Sequence, residues 1–336
     1  MTDMTESGAA EGGFKARAGA LTLLYLASPM ERSVLLTLLA EATTGARVLD
    51  DLEAPDLDDP ATIAAIFNDA YLLEPADPDH PPGAPIGPDT MLQPTPAGRE
   101  VPFVGTVLQH WLNGYPDGPI ELGPEAGPVL APLLTGWCSM VTHALAAEPL
   151  TALETHDEIQ VLDLDTVEAR IESMEEAGQV EALPGPEGEP RYAVTEWLRM
   201  GIAPLAAAAR MELRHPPGDT AAVAALDVEA SFLLTLPLLE LPADLSGSCS
   251  LAVELDEGIT GSPAGVTAQI EGGRVVTCER RLDDGADAWA TGSAGEWLDT
   301  LIEGDAEGVR SGGEDRLAGQ LLQELHTTLF GDSFLA

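Results

Sequence analysis

The chain has 336 residues, 45% of them hydrophobic, enough for two or three domains with cores of their own. Its 57 acidic against 15 basic side chains give a formal net charge of -42 and a pI near 4.1, a field that repels nucleic acid and anionic membranes. The longest apolar runs, such as 21–26, are too short to span a bilayer.

Such acidity also fits an adaptation to salt, where screening tolerates it. Cys138, Cys249 and Cys278 are far apart and odd in number, which points to reduced thiols and a cytoplasmic location. Residues 1–13 lack a basic region followed by an apolar run, so no secretory signal is expected.

Residues 1–17 read as a disordered tail. An apolar helix is expected over 18–27, and another over 31–41 with Val34, Leu35, Leu38 and Leu39 inward. Residues 47–52 read as a short helix. Asp58-Asp59-Pro60 opens a further helix, with Ile63, Ile66, Phe67 and Ala70 as its buried stripe. Residues 71–74 continue as a strand into a Pro-rich loop. Thr95-Pro96 then starts a helix that holds Pro102, so a restart or a kink is expected there. The Gly- and Pro-rich stretch 117–132 reads as a linker.

A second series follows. Helices are expected over 136–147 and 149–155. Residues 162–194 then read as helix, strand, turn and strand. Asp165 is expected to cap that helix, with Glu168 completing a capping-box-like pair. Val167, Ile171 and Met174 fall on one apolar face, and Gly178 suits a left-handed stop. Thr195 caps a closing helix over 196–213. The two series share an order of elements, which points to an internal duplication.

The stretches ERSVLLTLLAEATTGARVLDDLE, DDPATIAAIFNDAYLLEP and TPAGREVPFV, with DTVEARIESMEEAGQVEA in the second series, resemble winged-helix repressors of the HxlR and MarR kind. The resemblance covers roughly 18–213. It implies a recognition helix, a wing and a closing helix in each module, acting as a pair on DNA half-sites. Recognition helices of that family carry several Lys or Arg, whereas 63–71 carries none. The counterpart in the second series has Glu168, Glu172, Glu175 and Glu176 against Arg170 alone. Arg170 and Arg191 are the DNA-contact candidates of this resemblance.

Residues 215–241 read as a connecting helix broken at Pro237. Strands are expected over 248–255, 265–270, 274–280 and 287–291, the middle two joined by the turn 271–273. Ser293 caps a helix over 294–303 with Trp297, Leu298, Leu301 and Ile302 inward, and 317–329 is the last helix. The run from Trp289 to Phe330 resembles the sterol carrier protein fold, with coverage of about 242–330. That resemblance implies a tunnel for a small apolar ligand, lined by Trp289, Trp297, Leu301, Leu321, Leu325 and Phe330; periodicity alone makes the same residues core.

The expected fold is therefore α+β: winged helix-turn-helix modules at 18–116 and 133–214, then the connecting helix and a sterol-carrier-like α/β sandwich at 242–336. No catalytic constellation emerges. The six His are scattered, and no Cys pair stands at ligand spacing, so neither a metal nor another cofactor is expected. Ser293 is a helix cap rather than a nucleophile, and Ser333 has no chain after it to supply a helix or a His. The leading expectation is a ligand-responsive transcriptional regulator, not an enzyme, acting as a monomeric pseudo-dimer or a homodimer. Its partners would be DNA and a small apolar ligand, with no membrane. The alternative is a protein that keeps the winged fold but sequesters a ligand or binds a basic protein through its acidic surface.

Overall fold

A computed structural model describes residues 47–48, 73–77, 79, 90–122, 126, 129–130, 136–185, 188–215, 225–254 and 264–331. The helices expected over 18–27, 31–41 and 58–70 lie outside the described residues, as does the tail. The chain is mixed α+β.

Three short strands come first: β1 (Arg47–Val48), β2 (Leu73–Pro75) and β3 (Met91–Pro94). They form an antiparallel sheet in the order β1-β3-β2. Arg47 and Val48 are thus strand, not the start of a helix; their pairing with Leu92 and Met91 overrides local preference. Thr95 then caps α1 (Pro96–Asn113), accepting from the Gly98 amide at 3.0 Å. The helix runs on through Pro102.

The described residues of the stretch 117–132 pack against the rest of the fold. The Gln109 side chain donates to the Ile120 carbonyl and accepts from the Leu122 amide at 2.7 Å. Leu122, Ala126, Val129 and Leu130 are buried, and Gln179 donates to the Val129 carbonyl.

Next come α2 (Gly136–Leu145), α3 (Ala152–Ile159) and α4 (Leu164–Glu176), then the hairpin β4 (Val180–Leu183) and β5 (Arg191–Val194). Leu150 bridges Tyr192 on the free side of β5, so the pairing order Leu150-β5-β4 matches β1-β3-β2. Two boundaries differ from expectation. Helix α3 starts at Ala152, because Thr151 and Glu154 make a full capping box, a T-x-x-E pattern stronger than the preceding Pro149 as a start signal. Helix α4 is capped by Asp163, not Asp165: the Asp163 carboxylate accepts from the Thr166 amide at 2.8 Å. With Thr166 at the third helical position, Glu168 has no cap to reach back to. The expected face is as read, with Val167, Ile171 and Met174 at most 1% exposed. Gly178 takes a φ of 67°, the left-handed stop.

Thr195 caps the closing segment, which splits at Gly201 into α5 (Glu196–Met200) and α6 (Ile202–Arg214). Pro204 has no amide to give the Met200 carbonyl, so an unbroken ladder is impossible there. Helix α6 is alanine-rich, and Ala203, Ala206, Ala207, Ala208 and Ala209 are all buried. It packs against α1 on one side and the C-terminal helices on the other.

The expected connecting helix is described from α7 (Ala225–Thr235) and passes at Leu236–Leu238 into a single 3-10 turn around Pro237. Beyond it lie β6 (Gly247–Val253), β7 (Ala264–Glu271), β8 (Arg274–Glu279), β9 (Ala288–Gly292), α8 (Ala294–Glu303), β10 (Arg310–Gly313) and α9 (Asp315–Phe330). The sheet order is β10-β9-β6-β7-β8; β6 and β9 are parallel, and the other neighbours antiparallel. Cys249, Leu251, Val253, Val266, Ala268, Ile270 and Ala290 make its buried face, covered by α7, α8 and α9. The Phe232 ring meets Trp297 edge-on at 4.6 Å. Strand β10 has no apolar alternation, and only its pairing with β9 makes it a strand.

Arginines join the helical part to the sheet. Arg199 donates to the carbonyls of Ala146, Leu233 and Leu234, where α2 and α7 end. Burial lowers its pKa to about 10, so it stays charged at neutral pH. Arg280 donates to the carbonyls of His143 and Ala144 and pairs with Glu158 at 2.9 Å. Replacing Arg199 by Met leaves three carbonyls facing apolar side chains. The expected loss is about 2–3 kcal/mol in urea unfolding; a change within ~0.5 kcal/mol, the range of neutral surface substitutions, would show that these carbonyls find other partners.

Candidate functional site

The face of α4 that was expected to meet DNA forms, with the hairpin, one wall of a cleft of about 400 Å³. Glu168, Glu172 and Glu175 line it from α4, Glu189 from the hairpin loop and Tyr192 from β5, with Ile171, Ala152 and Pro190 completing the lining. The spacing 168, 172, 175 puts three carboxylates on one side of a helix of about 3.6 residues per turn. Glu176 falls off that side. Burial raises the Tyr192 pKa, and the charges of Glu175, Glu168 and Glu172 raise it further.

The two DNA-contact candidates do not converge on this cleft. Arg170 is half-buried and sits roughly opposite Glu168 on the helix at about 100° per residue. Arg191 gives one guanidinium nitrogen to both oxygens of Glu154, at 2.8 and 2.9 Å. Glu154 also accepts from the Thr151 amide. The Thr151 amide and then Arg191 hold its carboxyl below the ordinary glutamate value. Other arginines are committed in the same way: Arg210 and Arg214 to Glu303 and Asp299 on α8, Arg310 to Glu254, and Arg316 to Asp244.

Of the six residues placed in an apolar tunnel, five lie together as core. Trp297, Leu301, Leu321 and Leu325 are at most 1% exposed and Phe330 is 4% exposed. The Trp297 indole donates to the Ala252 carbonyl at 2.9 Å. Trp289 does not join them. It alternates with the buried Ala288 and Ala290 on β9, so it stands on the opposite sheet face and is 44% exposed. Its ring lies over Gly312 of β10, where a Cβ would come within 2.8 Å of it.

Sequence reasoning missed the contributions of Glu189 and Tyr192, because neither is on the helix. A tyrosine on the short strand that follows a wing loop was the available signal. Among the described residues no group of His, Cys, Asp and Glu is arranged to hold a metal ion. Cys249 and Cys278 are buried, and burial pushes both thiols up to about 12, so they stay protonated at neutral pH.

No family model, curated protein or solved structure matches the chain.

The Tyr192 phenol reports on the cleft. A raised folded-state pKa means that the folded chain holds this proton longer than the unfolded chain, whose phenol titrates near 10.0. Stability from this group is whole below that pH and falls as pH rises past it. The phenolate absorbance difference between the parent and Tyr192→Phe should show the raised value. Changing Glu168, Glu172 and Glu175 together to Gln should remove part of the shift and leave the part due to burial. An unchanged titration in that triple variant would place the carboxylates too far away to matter.

Proposed function

We propose that this chain is a protein-interaction protein that docks a basic segment of a partner in the cleft between α4 and the β4–β5 hairpin. The observation that carries the reading is the charge of that cleft: Glu168, Glu172, Glu175 and Glu189 line it, and no Lys or Arg is among its lining residues. A phosphate backbone needs cations there, because neutralised phosphates supply most of the affinity for DNA. A lysine or arginine chain finds carboxylates for its charge, the Tyr192 ring for a cation–π contact and the Ile171 and Pro190 side chains for its stem.

The order of elements is compatible with the resemblances drawn from the sequence. In the second series, Leu150 pairs beside a hairpin that follows two helices and precedes a closing helix, the order of a winged helix-turn-helix; β1-β3-β2 repeats the pairing in the first. Strand β9, helix α8 with Trp297 and Leu298, and closing helix α9 follow the order of the sterol carrier resemblance. In this reading the winged frame is kept as a scaffold and its reading face is acidic. The paired state of Arg191 points the same way, since the one base of the hairpin is taken by Glu154.

Calorimetry with a short Arg- and Lys-rich peptide and with random-sequence duplex DNA separates the two readings. The peptide should bind at low salt and weaken about tenfold or more toward 1 M salt, where the screening length falls to about 3 Å. The Gln triple variant at 168, 172 and 175 should lose that binding, and the duplex should not bind. Duplex binding at low salt, or peptide binding indifferent to the triple variant, overturns the proposal.

A further inference from the structure

A second cleft lies where the closing helix of the first series meets that of the second. It is open to solvent, has a volume of about 330 Å³ and is lined by His110, Trp111 and Gly114 from the end of α1 and by Glu196, Trp197 and Met200 from α5. The two walls follow one pattern: a tryptophan, the residue before it and the residue three after it. That spacing is one helical turn, so each wall is a single helix face.

The tryptophans are fixed by each other. Their rings stack with centroids 4.2 Å apart and planes 10° from parallel. The Trp111 indole donates to the Trp197 carbonyl at 2.7 Å, and the Trp197 indole donates to the Trp111 carbonyl at 3.0 Å. Tyr115 meets Trp197 edge-on at 5.1 Å. Both indole N–H groups are therefore spent inside the protein. Trp111 and Trp197 are 3% and 8% exposed, so the tryptophans offer the cleft only a small area of rigid aromatic carbon, with no donor left over, which favours apolar carbon over water. Met200 adds a thioether, which packs well against aromatic rings. The polar side chains of the lining are the His110 imidazole on the α1 wall and the exposed Glu196 carboxylate on the α5 wall, and the chain around them carries a formal net charge of -42.

We infer that this cleft is a small-molecule site for a planar aromatic amine of about bicyclic size, with its ring against the tryptophans and Met200 and its ammonium group against Glu196. The volume is at the lower end of the ~300–1,000 Å³ range of ligand pockets, which suits one bicycle. The sign of the ligand follows from Glu196 and the field of the protein, which attract a cation and repel a carboxylate on the same ring. Because the walls come from α1 and α5, an occupant bridges the closing helices of the two series and stabilises their contact.

Three probes separate ring from charge: tryptamine, indole-3-acetate and octylamine. Titration calorimetry and thermal unfolding of the full chain should show tryptamine binding and raising Tm. The other two should bind about tenfold more weakly or worse. Glu196→Gln, an exposed change that leaves the core alone, should erase the preference of tryptamine over indole-3-acetate. Met200→Trp should fill the cleft and abolish binding while circular dichroism stays that of the parent. The Gln triple variant at 168, 172 and 175 should leave tryptamine affinity unchanged, which keeps this site distinct from the peptide cleft. Equal binding of all three probes, unchanged preference in Glu196→Gln, loss of tryptamine binding in the triple variant, or no tryptamine binding at millimolar concentration overturns the inference.

Discussion

The guanidinium of Arg199 sits where two helices end. Helix α2 brings the Ala146 carbonyl and α7 brings those of Leu233 and Leu234. The C-terminal ends of helices carry unsatisfied carbonyls and the negative pole of the helix dipole, so a half-buried cation is tolerated there without a carboxylate. Arg199 belongs to α5, the first turn after the β4–β5 hairpin. One side chain thus fixes the hairpin's exit, the α2 end and the α7 end together, and α7 covers the C-terminal sheet. The placement of the acidic cleft relative to the sheet follows from that junction.

The arginines explain how so acidic a chain folds. Those described beyond Arg199 are largely spent on internal partners: Arg191 on Glu154, Arg210 and Arg214 on Glu303 and Asp299, Arg280 on Glu158 and on helix-end carbonyls. Arg210 also lies 5.6 Å from the centre of the Phe103 ring, at the contact of α6 with α1. Among the described residues, these cations join elements of the fold. The carboxylates left over cover surfaces such as the α4 face, where they repel one another and any polyanion.

The stacked pair Trp111 and Trp197 plays the corresponding role between the two series. Each ring satisfies the other's backbone carbonyl, so the joint is polar in its bonds and apolar in its surface. Helix α6, lined with buried alanines, allows α1 to approach closely just beyond it. Small residues and two large flat ones divide the work of holding one closing segment against the other.

Local sequence determined most elements and many of their ends. Thr95, Thr195 and Ser293 cap helices as their residue types and following positions imply, and the stripe Val167, Ile171, Met174 is buried as its period requires. The excess of acid on α4 was equally legible, because helical spacing alone places Glu168, Glu172 and Glu175 together. Competition between neighbouring signals hid some boundaries: Asp163 and Asp165 are both cap-forming residue types, and the folded helix uses the first. Partners distant in sequence decided the rest. Strand β10 exists because β9 lies beside it, and Trp289 left the core because β9 alternates. Arg191 became a structural ion pair because Glu154 was brought to it, and Trp111 found Trp197 across the two closing segments. Hydrogen bonds and ring contacts are short-ranged, so a chain read locally shows which groups need partners, and only the folded chain shows which partners they meet.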